Sequence, residues 1–163
     1  AVRIKTFARD LQAHRATFVT LKKKGRLRGC IGTITAHRSF VEDVVHNAYS
    51  AAFRDHRFTP LQADEAAEIA LSVSLLGKPK AMSFADEKDF LGQLRPHLDG
   101  LIIQDGEKRA VFLPQVWADL PNPKIFLSHL KRKAGMDEDH WSDRFQAWRF
   151  ASTSTDKRYQ EAK

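Results

Sequence analysis

A chain of 163 residues, 42% hydrophobic and 29% charged, can bury one core, or a core with a subordinate lobe, which excludes a disordered polar segment. Its apolar runs stop well short of the ~20 residues a membrane helix needs, and no signal-peptide pattern opens it, so no membrane partner and a cytoplasmic location are expected. The single cysteine excludes an internal disulfide, a cysteine-only zinc site and a cysteine-ligated iron–sulfur cluster within one chain.

The 27 basic residues outnumber the 20 acidic ones, for a net charge of +7. The excess gathers at Lys22, Lys23, Lys24, Arg26 and Arg28, and again at Lys131, Arg132 and Lys133. Such clusters can bind phosphate through counterion release. With no nucleic-acid motif beside them, solvated turns and helix faces outweigh nucleic-acid binding roughly two to one.

In chain order, residues 1–15 read as a lead-in, with Val2 to Leu11 a short helix or an extended segment. Ala16 to Lys22 is rich in β-formers, Lys23-Lys24-Gly25 supplies a turn, and Leu27 to Ile34 returns as the second arm of a hairpin. That arm carries Leu27-Arg28-Gly29-Cys30-Ile31-Gly32-Thr33. Two glycines inside a strand indicate a close approach by another backbone, a ligand or a bend. Strict alternation puts Arg28 and Cys30 on one face and Leu27, Gly29 and Ile31 on the other.

Ser39-Phe40-Val41-Glu42 is a capping box, and Val41, Val45, Ala48 and Ala52, widened by Val44, Tyr49 and Phe53, predict a helix over Phe40 to Phe53 with that stripe on the core. Arg54 to Leu61 is a loop ended by Pro60, and Asp64 to Glu68 a helical turn. Ile69 to Leu76 alternates as a strand, with Ile69, Leu71, Val73 and Leu75 facing the core.

Further on, the pattern predicts a helix from Ala85 to Leu94, a hairpin of Gly100–Gln104 and Arg109–Leu113 around Asp105-Gly106, and helical turns over Pro114 to Leu120. Asn122 caps a helix that Gly135 closes, and Phe145 to Ala151 reads as a last strand. The folded domain is therefore expected over 16–151 and a frayed polar tail over 152–163. Antiparallel strands mixed with helices, without βαβ alternation, indicate an α+β fold rather than a doubly wound one.

Cys30, with Arg28 nearby in sequence, is a candidate nucleophile, for which His37, His46 and His56 are the available bases. A small buried filler beside glycines explains the same residue at least as well. Asp55 and Arg57 either hold an anion with the guanidinium fork or form a structural pair that locks the loop. No histidine pair has metal-ligand spacing, and Trp117, Trp141 and Trp148 are better explained by core packing than by base stacking.

The blocks Leu27–Thr33, Ala52-Phe53-Arg54-Asp55-His56-Arg57-Phe58-Thr59-Pro60-Leu61, Asp99-Gly100-Leu101-Ile102, Phe112-Leu113-Pro114-Gln115-Val116-Trp117, and Lys133-Ala134-Gly135 followed by Trp141 resemble, in order, the signature blocks of the AMMECR domain family. That family includes the prokaryotic proteins called protein A of the AmmeMemoRadiSam system. The chain departs from the pattern in three places: only about 15 residues precede the first strand, where relatives commonly have a long amphipathic helix. His56 stands where proline is frequent, and Leu130-Lys131-Arg132 replaces a segment that often carries a second cysteine.

The resemblance implies an antiparallel sheet flanked by helices, a smaller subdomain and a cleft between the two. It implies partners of the Memo type and the radical S-adenosylmethionine type. The expected site combines Cys30 as nucleophile and His56 as base with Arg28, Gly29, Gly32, Asp55 and Arg57 around a small or peptide-borne anionic substrate. Reaction and cofactor are left open. A non-catalytic binding or scaffold module for those partners is the alternative, and nucleic-acid binding through the basic clusters a further one.

Overall fold

The computed structural model describes residues 3–158. In chain order it contains a 3-10 turn (Ile4–Thr6), α1 (Arg9–Gln12), β1 (Thr17–Lys23), β2 (Arg26–Gly32), α2 (Phe40–Phe53), a 3-10 segment (Ala63–Glu68), β3 (Ile69–Leu76), β4 (Lys80–Ala81), α3 (Glu87–Gln93), β5 (Gly100–Asp105), β6 (Lys108–Phe112), a 3-10 segment (Pro114–Ala118), α4 (Pro123–Lys133), β7 (Gln146–Phe150) and β8 (Ser152–Arg158). It is a mixed α+β protein with two four-stranded sheets, ordered β2-β1-β3-β8 and β4-β7-β5-β6. The chain divides into two compact units, Ala1–Leu76 with Thr153–Lys163, and Gly77–Ser152. Residues 1–2 of the expected lead-in and 159–163 of the expected tail lie outside the described residues.

In the first unit, β1 and β2 form the predicted hairpin. Its turn is Lys24-Gly25 alone, with φ of 50° and 79°, the mirror-image two-residue turn whose twist matches that of the strands. The register pairs Lys22 with Leu27, then Leu21 with Gly29 and Thr20 with Cys30. Arg28 is thus the extra residue of a β-bulge. The bulge overturns the alternation argument: Leu27, not Arg28, shares the face of Lys22, Thr20 and Cys30. Gly29 lies under α2, where a Cβ would collide with the Ala51 carbonyl oxygen. That close approach of helix to strand explains the glycine.

The helix α2 has the predicted bounds, with Glu42 N–H donating to Ser39 Oγ and Ser39 N–H donating to Glu42 Oε2. Its roll about its own axis differs from the expectation. Asp43, Asn47, Ser50 and Ala51 are buried with Val41, Val44, Ala48 and Ala52 are half-buried, and Val45, Tyr49 and Phe53 stay 47%, 53% and 45% exposed.

The cause is a buried polar knot. Asp43 Oδ2 accepts from Thr17 N–H at 2.9 Å, Thr17 Oγ1 at 2.7 Å and Asn47 Nδ2 at 3.0 Å. Its Oδ1 accepts from Thr33 Oγ1 at 2.8 Å and Arg38 Nε at 3.2 Å. A buried carboxylate is tolerated when its lone pairs are filled in this way, so the polar side turns inward. Val19, Leu21, Ala51 and Ile69 form the accompanying apolar core.

The tail differs too: Ser152–Arg158 is strand β8 beside β3, with Ser74 and Ser154 hydroxyls 2.7 Å apart. Asp156 and Lys157 are poor strand formers, but Thr153 and Thr155 suit a strand and the existing edge of β3 supplies the ladder.

The second unit has a larger core. Trp117, Phe90, Phe126, Leu101, Ile103 and Leu130 are fully buried, Trp117 stacks on Phe126 with ring centroids 3.7 Å apart, and Trp117 Nε1 donates to Asp99 O at 2.7 Å. Asn122 caps α4 and Gly135 ends it at φ 76°. The short strand β4 pairs with β7, and no sequence pattern announced it.

Lys131 is wholly buried, its Nζ 2.6 Å from Glu87 Oε1, and Lys133 Nζ donates to Val111 O. Lys23 and Lys24 pair with Glu65 and Glu68. Much of both basic clusters is therefore used inside the protein. Among the described residues no helix is long and apolar enough to cross a membrane.

Candidate functional site

An edge strand has backbone groups on its outer side that the sheet cannot satisfy. β2 is such a strand, and at Cys30 the loop after α2 fills the gap. Cys30 N–H donates to Asp55 Oδ2 at 2.9 Å, and Cys30 O accepts from Arg57 Nη2 at 3.3 Å. Asp55 and Arg57 are joined by a bidentate pair, Nε to Oδ1 at 2.9 Å and Nη2 to Oδ2 at 2.7 Å, and Arg57 N–H also donates to Oδ1. One ion pair thus serves as a surrogate strand, presenting an acceptor and a donor to one residue. Hydrogen bonds from Phe58 N–H to Asp55 O and from Leu61 N–H to Ala52 O hold the loop in shape.

The electrostatics follow from the contacts. Hydrogen bonding from Arg57, then from the Cys30 and Arg57 amides, holds the Asp55 carboxyl far below the usual carboxylate range against the opposing effect of burial. The Arg57 guanidinium is held still more firmly in its charged form, first by its hydrogen bonds to Asp55 and then by the Asp55 charge, against the opposing effect of burial. Among the described residues its Nη1 has no hydrogen-bond partner, its side chain is 46% exposed, and its Cζ sits 5.4 Å from the centre of the Phe58 ring.

Arg28 goes elsewhere. Its Nε and Nη2 lie 3.1 and 2.8 Å from the two Glu65 oxygens, and Nη1 donates to Thr59 O at 2.9 Å. Glu65 also accepts from Lys23 Nζ and Gln62 N–H. These donors, Arg28 first, lower its pKa to about 2. Arg28 is a clamp between the bulge and the 3-10 segment, with its guanidinium nitrogens already committed.

The Cys30 thiol, half-buried, meets the Thr20 hydroxyl at 3.3 Å. Thr20 is opposite Ser72 on β3, so thiol and hydroxyls form a row across three strands. Gly32, one row along, lies under the Phe18 ring, which a Cβ would strike.

His56 is exposed, and among the described residues no hydrogen bond joins His37, His46 or His56 to Cys30; His37 Nδ1 lies against Thr35 O. The structure thus brings together Cys30, Asp55 and Arg57, sets Gly29 and Gly32 as packing positions, and leaves Arg28 and His56 outside their hydrogen bonds. Among the described residues no three potential His, Cys, Asp or Glu ligands converge.

Sequence reasoning missed Thr20 and Glu65. The Lys24-Gly25 turn signal sets a register that would bring Thr20 near the thiol, but only after the bulge is known. No local signal pairs Arg28 with a residue 37 positions away.

A fold of two α+β units, with a thiol-bearing edge strand clasped by an Asp–Arg pair, defines the class of protein. The AMMECR1 family model matches residues 2–155, and the chain belongs to that family. It is 36% identical over 140 residues to a protein of Methanothermobacter thermautotrophicus, covering 82% of this chain and 73% of that one. It is 38% identical over 135 residues to protein MK0488 of Methanopyrus kandleri, covering 80% and 65%. The crystal structure of the uncharacterized protein PH0010 from Pyrococcus horikoshii superposes with a TM-score of 0.87 at 27% identity, covering 93% of this chain and 78% of that one.

Proposed function

We propose that the protein is a component of a modification pathway that binds a small or peptide-borne anionic group at Arg57, beside Cys30, and works with partners of the Memo and radical S-adenosylmethionine types. The observation that carries this reading is the state of Arg57. Two of its nitrogens are fastened to Asp55 and to the Cys30 carbonyl, while Nη1, on a half-exposed side chain, is unpartnered among the described residues. A guanidinium already immobilised can meet a carboxylate or phosphate with little further loss of side-chain entropy. Cys30 then lines the site through its thiol, and Asp55 is a positioning residue for Arg57.

Thermal melts in increasing inorganic phosphate and succinate test the reading, because a ligand that binds the native state raises Tm by an amount that grows with the logarithm of its concentration once Kd is passed. Such a rise is expected for the wild type and its loss in Arg57→Gln. An equal rise in both proteins refutes the site. Cys30→Ser, assayed for pathway product, separates the thiol's contribution from anchoring: an unchanged yield removes the thiol from the reaction.

A second reading, a non-catalytic docking module, is favoured by one observation, the apolar stripe that α2 turns outward at Val45, Tyr49 and Phe53.

A further inference from the structure

The roll of α2 turns part of its apolar stripe, Val45, Tyr49 and Phe53, outward. Val45, Tyr49 and Phe53 follow one another at i, i+4 and i+8, a strip about 12 Å long at the rise of an α-helix. The Tyr49 and Phe53 rings stand 5.0 Å apart, centre to centre, and Arg54 closes the strip with its guanidinium carbon 5.2 Å from the Tyr49 ring centre.

Every acid from Phe40 to Phe58 is occupied elsewhere. Asp43 and Asp55 are buried, and Glu42 is bound to Ser39. The cations of the same stretch, Arg54 and Arg57, are exposed, and Arg54 stands against the strip itself at Tyr49.

We propose that this face of α2 docks an acidic amphipathic helix of a partner protein, an inference that rests on the docking-module reading. Apolar side chains spaced at i, i+3 or i+4 and i+7 would lie along Val45, Tyr49 and Phe53, and flanking carboxylates would meet Arg54 and Arg57. Charge decides among occupants. A second copy of this chain would bring together two molecules of net charge +7 with Arg54 at each strip, whereas an acidic helix removes that repulsion and is steered to the site.

The test uses a synthetic helical peptide with leucines at i, i+3, i+4 and i+7 and glutamates elsewhere, and its twin with arginine for every glutamate. Binding to the protein and to Tyr49→Glu/Phe53→Glu is followed by fluorescence anisotropy, with circular dichroism to confirm that these exposed substitutions leave the fold intact. The expected result is saturable binding of the acidic peptide that weakens with salt and falls at least about tenfold in the double variant, with the arginine peptide bound no better than that.

Equal binding of both peptides, or an acidic peptide insensitive to the double variant, overturns the proposal. So does phosphatidylglycerol-vesicle binding, or dimerisation by sedimentation, that the double variant abolishes while the acidic peptide does not bind. Co-purification of the Memo-type partner with the wild type and equally with the double variant would overturn this surface while leaving the docking-module reading standing. Absence of any complex would remove that reading.

Discussion

Replacing Asp55 with Ala removes the acceptor on which the edge of β2 depends. Asp55 is 5% exposed, and its carboxylate accepts from Cys30 N–H, Arg57 N–H and two guanidinium nitrogens. Truncating one partner of a buried ion pair costs about 3–5 kcal/mol. Here Arg57 is half-exposed and regains water, so the charge–charge share is screened. What persists is the stranded Cys30 amide and the unsupported loop, and about 2–3 kcal/mol is expected.

For a chain of this size that corresponds to a fall in Tm of about 5–10 °C. The pH dependence gives a second, sharper check. The native-state pKa of Asp55 is depressed, so its contribution is complete above the unfolded-state value of about 4 and is lost as pH falls below it toward the native-state pKa. Urea unfolding at pH 7 and at about pH 2.5 should therefore show a wild-type-minus-variant difference that shrinks on acidification. A difference under about 0.5 kcal/mol at pH 7, or one that is constant with pH, refutes the clasp as described.

Two further substitutions probe the neighbouring contacts. Gly29→Ala places a methyl group on the Ala51 carbonyl and should cost about 1–3 kcal/mol by overpacking; an unchanged denaturation midpoint would mean that α2 does not approach β2 that closely. Asp43→Ala strips the buried knot of its shared acceptor and should cost about 3–5 kcal/mol, measured by thermal unfolding; a loss below about 1 kcal/mol would show that water substitutes for the carboxylate.

Features legible from sequence were those with local causes. The capping box set the start of α2, Asn122 and Gly135 bracket α4, and the β1–β2 and β5–β6 hairpins follow from β-formers around turn residues. Asp55 and Arg57 were recognisable as a pair because they lie two residues apart. Whether that pair held a ligand or a strand depended on what lay across the gap. The structure puts the Cys30 backbone there, with one guanidinium nitrogen left over among the described residues.

The amino-acid sequence by itself determined the α+β class, the bounds of the main helix and, through its motif blocks, the family. Tertiary structure decided the roll of α2, because Asp43 finds its donors at Thr17 and Thr33, on other segments, and satisfying a buried carboxylate outweighs hiding Tyr49 and Phe53. It also decided the fate of Arg28, since a one-residue bulge cancels the alternation that placed it with Cys30 and Glu65 completes the diversion from far along the chain. Periodicity describes what a segment would do alone. A polar group that must be buried takes its partners from wherever the fold supplies them.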